Sequence, residues 1–126
     1  MAALVHTRAH RNNTDMNNLS LAELNRKIEN MVRHGVVEDV KPSLCTVRLS
    51  ETLVTDWLQY QVPAAGGVSV HRMPSIGEAC TVLSPSGNLE AGRVVFGFAS
   101  NQYPEPSQAE NETVVLFPDG ARIAYD

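Results

Sequence analysis

The sequence predicts a small, mainly β domain, either a closed barrel or a sandwich, preceded by one amphipathic helix. Three observations indicate this class. The hydrophobic period changes from about 3.6 residues to 2 near Gly35, short alternating segments follow, and turns rich in glycine and proline join them. The chain has 126 residues, of which 43% are hydrophobic, so it can build one domain around one core. No apolar run reaches the ~18–20 residues that a bilayer span needs.

The predicted helix begins at a capping box formed by Ser20 and Glu23. Apolar residues then recur at helical spacing on one face: Leu21, Leu24, Ile28, Met31 and Val32. Gly35 is expected to stop the helix. We therefore predict a flexible tail over residues 1–18 and a helix over residues 19–34. The apolar face either packs on its own domain, which is the commoner arrangement, or docks on a partner.

Five segments after the helix alternate between apolar and polar residues as barrel strands do. They are residues 36–40, 44–49, 55–62, 79–83 and 89–98, with a short edge segment at 68–71. In the longest of them, Val94, Phe96 and Phe98 share one face. The predicted barrel therefore covers residues 35–100.

The region after the barrel has a different composition. Residues 101–112 contain two prolines and no aliphatic cluster, which predicts a linker. Residues 113–117 and 121–125 alternate again on either side of a Pro-Asp-Gly turn. A further β element is therefore predicted over residues 113–126.

The two parts of the chain differ in net charge, which is +2 over residues 1–35 and −6 over residues 36–126. Barrels that bind single-stranded nucleic acid use a basic groove with stacking aromatic side chains. Residues 36–126 contain too few basic residues to form such a groove. We therefore expect no nucleic acid among the partners.

No catalytic, cofactor-binding or metal-binding residues are predicted. The four histidines show no pairing at metal-ligand spacing, and no phosphate-binding or nucleophile-elbow motif occurs. Cys45 and Cys80 fall at apolar strand positions, where cysteine acts as a small hydrophobic residue. Trp57 is expected to pack on the sheet or to anchor an interface. The sequence therefore predicts neither an enzyme nor a cofactor.

The order of the motifs along the chain is more informative than any single motif. The chain contains MVRHGVV at 31–37, TDWLQY at 55–60, PSIGE at 74–78, GRVVFG at 92–97 and FPDGARIAYD at 117–126. In this order, from about Met16 to Asp126, the sequence resembles the baseplate assembly protein V family of contractile-tailed bacteriophages. Members of that family form the central spike of the tail.

The resemblance implies that the barrel is a five-stranded oligonucleotide/oligosaccharide-binding (OB) fold used as a structural collar. It implies a homotrimer in the full-length spike, with residues 113–126 starting a C-terminal trimeric β-helix. The implied partners are the baseplate hub, the tail tube proteins and, on injection, the host outer envelope. The implied location is the tail baseplate of the virion, after assembly in the bacterial host cytoplasm.

Two expectations remain open from the sequence. The alternative function is an OB-fold module that binds single-stranded nucleic acid or an oligosaccharide. The second concerns assembly: the 126-residue chain is expected to trimerise weakly or not at all, because one hairpin per chain offers few apolar side chains. That expectation holds unless the barrels supply an interface of their own.

Overall fold

The computed structural model describes residues 20–126, so the predicted tail and the predicted first residue of the helix, Leu19, lie outside it. The helix α1 covers residues 20–31. Nine strands follow: β1 (Val32–Lys41), β2 (Leu44–Arg48), β3 (Leu58–Tyr60), β4 (Ala64–Ala65), β5 (Ser69–Val70), β6 (Ala79–Leu83), β7 (Arg93–Phe98), β8 (Thr113–Leu116) and β9 (Arg122–Tyr125). Over residues 20–126, no helix is both long enough and apolar enough to cross a bilayer.

Five strands close into a barrel in the order β1-β2-β3-β7-β6, which returns to β1. Four of the five pairings are antiparallel, and β3 pairs with β7 in parallel. The strands β4 and β5 form a small hairpin in the connection between β3 and β6, and β8 and β9 form a second hairpin after the barrel. The predicted mainly β fold with a five-stranded closed barrel is confirmed, and the sandwich is excluded.

Alternate residues of the strands fill the barrel. The core consists of Val37, Cys45, Val47, Leu58, Tyr60, Cys80, Val82 and Val94. The rings of Tyr60 and Phe96 meet edge to face with centroids 5.6 Å apart, an arrangement that aromatic pairs favour. Both cysteines lie in this core as predicted: burial raises the pKa of Cys45 to about 11 and that of Cys80, beside Cys45 and Glu78, to about 12.

The helix ends earlier than predicted, because the residues around Gly35 belong to β1. Arg33 pairs with Val82 and Gly35 with Cys80 in the β1–β6 ladder. Gly35 is therefore a strand residue and not a helix cap. A Cβ there would lie only 2.6 Å from Val47 Cγ1 and 2.7 Å from the Arg48 carbonyl oxygen, so glycine permits the close approach of β2. The predicted helix over 19–34 was too long by three residues at this end.

The strand predicted over residues 89–98 was also too long. Leu89–Ala91 is a short 3₁₀ turn whose cap, Asn88, accepts a hydrogen bond from the Glu90 amide at 3.1 Å, and β7 starts only at Arg93. Phe98 does not join the core face and is 48% exposed. The β6–β7 register shifts between Ala79 and Cys80, and Gly97 has φ +98°, so the chain turns Phe98 outward.

The strand predicted over residues 55–62 is shorter in the structure, because a hydrogen bond to a side chain replaces part of its backbone pairing with β2. The Val47 amide donates to the hydroxyl of buried Thr55 at 3.0 Å, and the Thr55 amide donates to the Val47 carbonyl at 2.8 Å. Regular pairing with β2 then covers only two residue pairs, at Leu58 and Gln59.

The first residues of the predicted linker lie against the barrel. The Tyr103 hydroxyl donates to the Ile76 carbonyl at 3.2 Å. Gln102 packs on Gly77, where a Cβ would lie 2.7 Å from its side-chain oxygen. Gly77 has φ +89°, which only glycine adopts without strain. The outgoing chain is thus attached to the turn that precedes β6.

Candidate assembly surfaces

The first candidate surface is the apolar face of α1, which the barrel leaves uncovered. Its four residues are between 46% and 61% exposed: Leu21, Leu24, Ile28 and Met31. We call this face the helix seam. Packing of the predicted apolar face on its own domain, the commoner of the two arrangements, is therefore not what the structure shows. Contiguous exposed apolar surface is a feature of interaction sites, so the helix seam is a candidate for one.

Backbone contacts hold the helix on the barrel. The Ser84 amide donates to the Met31 carbonyl at 2.9 Å. One turn of helix earlier, the Lys27 backbone rests on Gly87, where an added Cβ would overlap the Lys27 carbonyl oxygen. Gly87 also has φ +71°. The turn before β7 thus needs glycine for its own conformation and for contact with α1, and this contact leaves the helix seam outside.

The helix seam continues onto the outer surface of the barrel. A shallow apolar groove of about 340 Å³ lies where α1 meets the strands, and it is lined by Met31, Val32, Leu83, Ser84, Pro85 and Arg93. Val32 pairs with Leu83, and Leu83 pairs with Arg93, so their side chains share the outer face of the sheet. Val32 and Leu83 are 58% and 44% exposed, which extends the apolar surface beyond the helix.

The second candidate surface is the hairpin formed by β8 and β9, here called the C-terminal hairpin. Its turn is well formed: the Gly120 amide donates to the Phe117 carbonyl at 3.0 Å, and Asp119 accepts from the Ala121 amide at 2.9 Å. Arg122 pairs with Glu112 across the hairpin. Every residue of β9 is exposed. The exposed apolar side chains are Val115, Leu116, Phe117, Ile123 and Tyr125.

Three cations of the barrel contact neighbours on the same chain. Arg48 pairs with Glu38 at 2.7 Å, and this hydrogen bond holds the pKa of Glu38 below its usual range. Arg72 pairs with the buried Glu78 at 2.9 Å, and Lys41 lies 4.2 Å from the centre of the half-buried Trp57 ring. Over residues 36–126, eleven acidic side chains stand against five basic ones, which disfavours contact with a phosphate backbone.

The histidines and cysteines of the described residues bear on the question of metal binding and of nucleophilic chemistry. Over residues 20–126, no group of three His, Cys, Asp or Glu side chains converges on a possible metal position. His71 is exposed. The raised pKa values of Cys45 and Cys80 keep both thiols protonated at neutral pH, and a protonated thiol is a poor nucleophile.

Comparison with known proteins identifies the barrel. Residues 33–98, which run from β1 to β7, match the family described as the type VI secretion system/phage-baseplate injector OB domain. The chain belongs to this family. It is also 35% identical over 114 residues to the spike protein of Escherichia phage P2, a match that covers 88% of this chain and 54% of that protein. The chain thus spans about half the length of the curated relative it matches. The resemblance to the baseplate V family and the OB fold it implied are both confirmed.

Proposed function

We propose that this chain is a structural, non-enzymatic component of a contractile phage tail, the collar region of a central spike that pierces the host envelope and docks on the baseplate hub. One observation carries the proposal: a closed injector OB barrel presents uncovered apolar surfaces on both the element before it and the element after it. The similarity to a phage spike protein supports the same function.

In this proposal the C-terminal hairpin and the barrel have different neighbours. The C-terminal hairpin continues a trimeric β-helix with its counterparts in two other copies, while the barrel surface contacts the hub and the tail tube proteins. The spike is assembled in the bacterial host cytoplasm, resides in the tail baseplate and meets the host outer envelope on injection. The exposed edges of β8 and β9 support strand addition between copies, because unpaired strand edges are ready templates for it.

The domain boundaries belong to the same proposal. A tail over residues 1–18, a helix over 19–34, a barrel over 35–100 and a linker over 101–112 lead to the start of the spike at 113–126. The strand bounds support the barrel range, whereas the end of α1 shifts the boundary between helix and barrel to residue 31.

Incorporation into tail particles tests the proposal. The full-length protein is expected at the tip of purified contractile tails, detected by mass spectrometry and by antibody labelling in electron micrographs. The double substitution Ile123→Asp and Tyr125→Asp is expected to abolish incorporation, because charges would enter the trimer contact. Val68→Asp is the matched control, since Val68 is 77% exposed and lies outside both surfaces. Absence of the wild-type protein from purified tails would overturn the proposal.

The alternative, an OB module for single-stranded nucleic acid or oligosaccharide, has less support. The body carries −6, and Lys41, Arg48 and Arg72 are engaged by neighbours on their own chain. Titration of a labelled oligonucleotide at low salt, where electrostatic attraction is least screened, is expected to show no binding. Micromolar binding at physiological salt, abolished by substitutions on the barrel, would favour the alternative instead.

A further inference from the structure

We infer that α1 is a second self-association element: the helix seams of neighbouring copies of this chain pack against one another as a short coiled coil. This inference rests on the proposed function only in taking the spike to contain several copies. In the chain, α1 precedes the barrel and the C-terminal hairpin follows it. The inference therefore assigns part of the assembly to a second segment.

The first argument is the spacing of the helix seam. Leu21, Leu24, Ile28 and Met31 are separated by 3, 4 and 3 residues, the alternation of a and d positions in heptads. The positions that flank this stripe on α1 are polar, namely Ser20, Asn25 and Lys27, so the apolar face is narrow, as in a contact between two helices.

The second argument is the charge around the seam. Glu23 pairs within its own helix with Arg26 at 3.7 Å and with Lys27 at 3.8 Å, so the nearest charges are balanced inside one chain. Asn25, next to the seam, is neutral. A second copy therefore meets an apolar stripe without strong like-charge repulsion. A strongly acidic or basic partner would find no complementary row of charges, so the charge pattern favours a copy of the same helix.

The third argument is the way the barrel holds the helix. An isolated helix of about 12 residues is marginal in water, but the Lys27–Gly87 backbone contact and the hydrogen bond to the Met31 carbonyl fix α1 before association. This fixation lowers the entropy lost on binding. The helix seam is fixed in an outward position and is continuous with exposed Val32 and Leu83.

The size of this surface sets the strength expected. Six half-exposed apolar side chains, four on α1 and two on the barrel, amount to a patch on the order of a few hundred Å². A stable interface needs roughly 800 Å² per partner. The described chain should therefore associate weakly through α1 alone, and the seam should act together with the C-terminal hairpin in a longer spike.

Sedimentation equilibrium of the 126-residue chain between about 5 and 500 µM tests the inference. We expect the average mass to rise above 13.7 kDa with concentration. In the double variant Leu24→Gln and Ile28→Gln, association should weaken at least tenfold, because glutamine keeps helix propensity but removes the apolar contact. Ile123→Gln with Tyr125→Gln is the hairpin control and should weaken association less in this chain. Circular dichroism and thermal unfolding confirm that each variant is folded.

Site-directed crosslinking gives an independent readout. Leu24→Cys lies at a seam position, so mild oxidation should join two chains through it. Arg26→Cys lies on the outer side of the helix and should give little crosslinked product. The native cysteines are both buried and should not interfere.

A chain that stays monomeric at the highest concentration, or seam variants that associate as the wild type does, would overturn the inference. Equal crosslinking at residues 24 and 26 would also contradict it. These failures can be told apart from failure of the proposed function. If tails incorporate the protein but α1 does not associate, only the coiled coil is rejected. If α1 associates but the protein is absent from tails, only the function as a spike component is rejected.

Discussion

The barrel and the two elements that flank it differ in where their apolar side chains are buried. In the barrel, Val47, Val82 and Val94 have no exposed surface, and the strands close on one another. In the flanking elements, Ile28 and Ile123 are 56% and 63% exposed. Branched aliphatic side chains thus serve two purposes. In the barrel they stabilise one chain, whereas in α1 and the C-terminal hairpin they are available to other chains.

Substitution of one leucine in the barrel and one in α1 should show the largest difference in stability between the two regions. Leu58 is 3% exposed and Leu24 is 52% exposed. Leu58→Ala is expected to lower the free energy of unfolding by about 2–5 kcal/mol, the usual range for a buried leucine. Leu24→Ala should change it by less than ~1 kcal/mol in dilute solution. Urea denaturation at low micromolar concentration measures both, and similar losses would show that the helix seam is covered within one chain.

The contact between Gly87 and α1 gives the next largest effect. Gly87→Ala places a side chain at φ +71° and against the Lys27 backbone, so we expect a loss of about 1–3 kcal/mol from strain together with displacement of the helix. Gly120→Ala has a similar φ of +90° but nothing within 4 Å, and it therefore isolates the strain. Amide exchange should accelerate throughout α1 in the first variant only. Unchanged exchange in α1 would contradict the contact.

The exposed pair Glu38–Arg48 should give the smallest effect and the clearest pH dependence. Arg48 lowers the pKa of Glu38 in the folded state, so its contribution is present above the pKa of the unfolded chain. It is lost as the pH falls through the lower folded value. The stability difference between the wild type and Glu38→Gln should be small at pH 7 and should vanish in strong acid. It should also shrink at 1 M salt, which screens exposed pairs, and a pH-independent difference would count against the ion pair.

The sequence was informative wherever local pattern and tertiary structure agree. Alternation located the barrel strands, and the apolar strand positions of Cys45 and Cys80 predicted their burial. The sequence pattern did not predict the end of α1 correctly, because Arg33 and His34 suit the last turn of a helix as well as a strand. Pairing with β6 decides between the two, and that partner lies almost fifty residues away.

The candidate surfaces were predictable only in part. Periodicity showed that α1 has an apolar face, but not what covers it, because the position of the helix depends on the remote contact with Gly87. Nothing in the sequence around Gly87 indicates that a helix rests on this turn. The outward position of Phe98 was missed for a related reason, since Gly97 and the register shift in β6 act only in the folded sheet.

The attachment of Tyr103 and Gln102 to the turn at Ile76 and Gly77 has a mechanical consequence. A flexible linker limits only the distance between the two domains that it joins. A chain that is anchored just after it leaves a domain also has a fixed direction at that point. The hydroxyl bond and the glutamine contact stiffen the exit from the barrel. A push that reaches Tyr103 would therefore pass to the barrel wall through the start of β6, and any slack between the barrel and the C-terminal hairpin lies in residues 104–112.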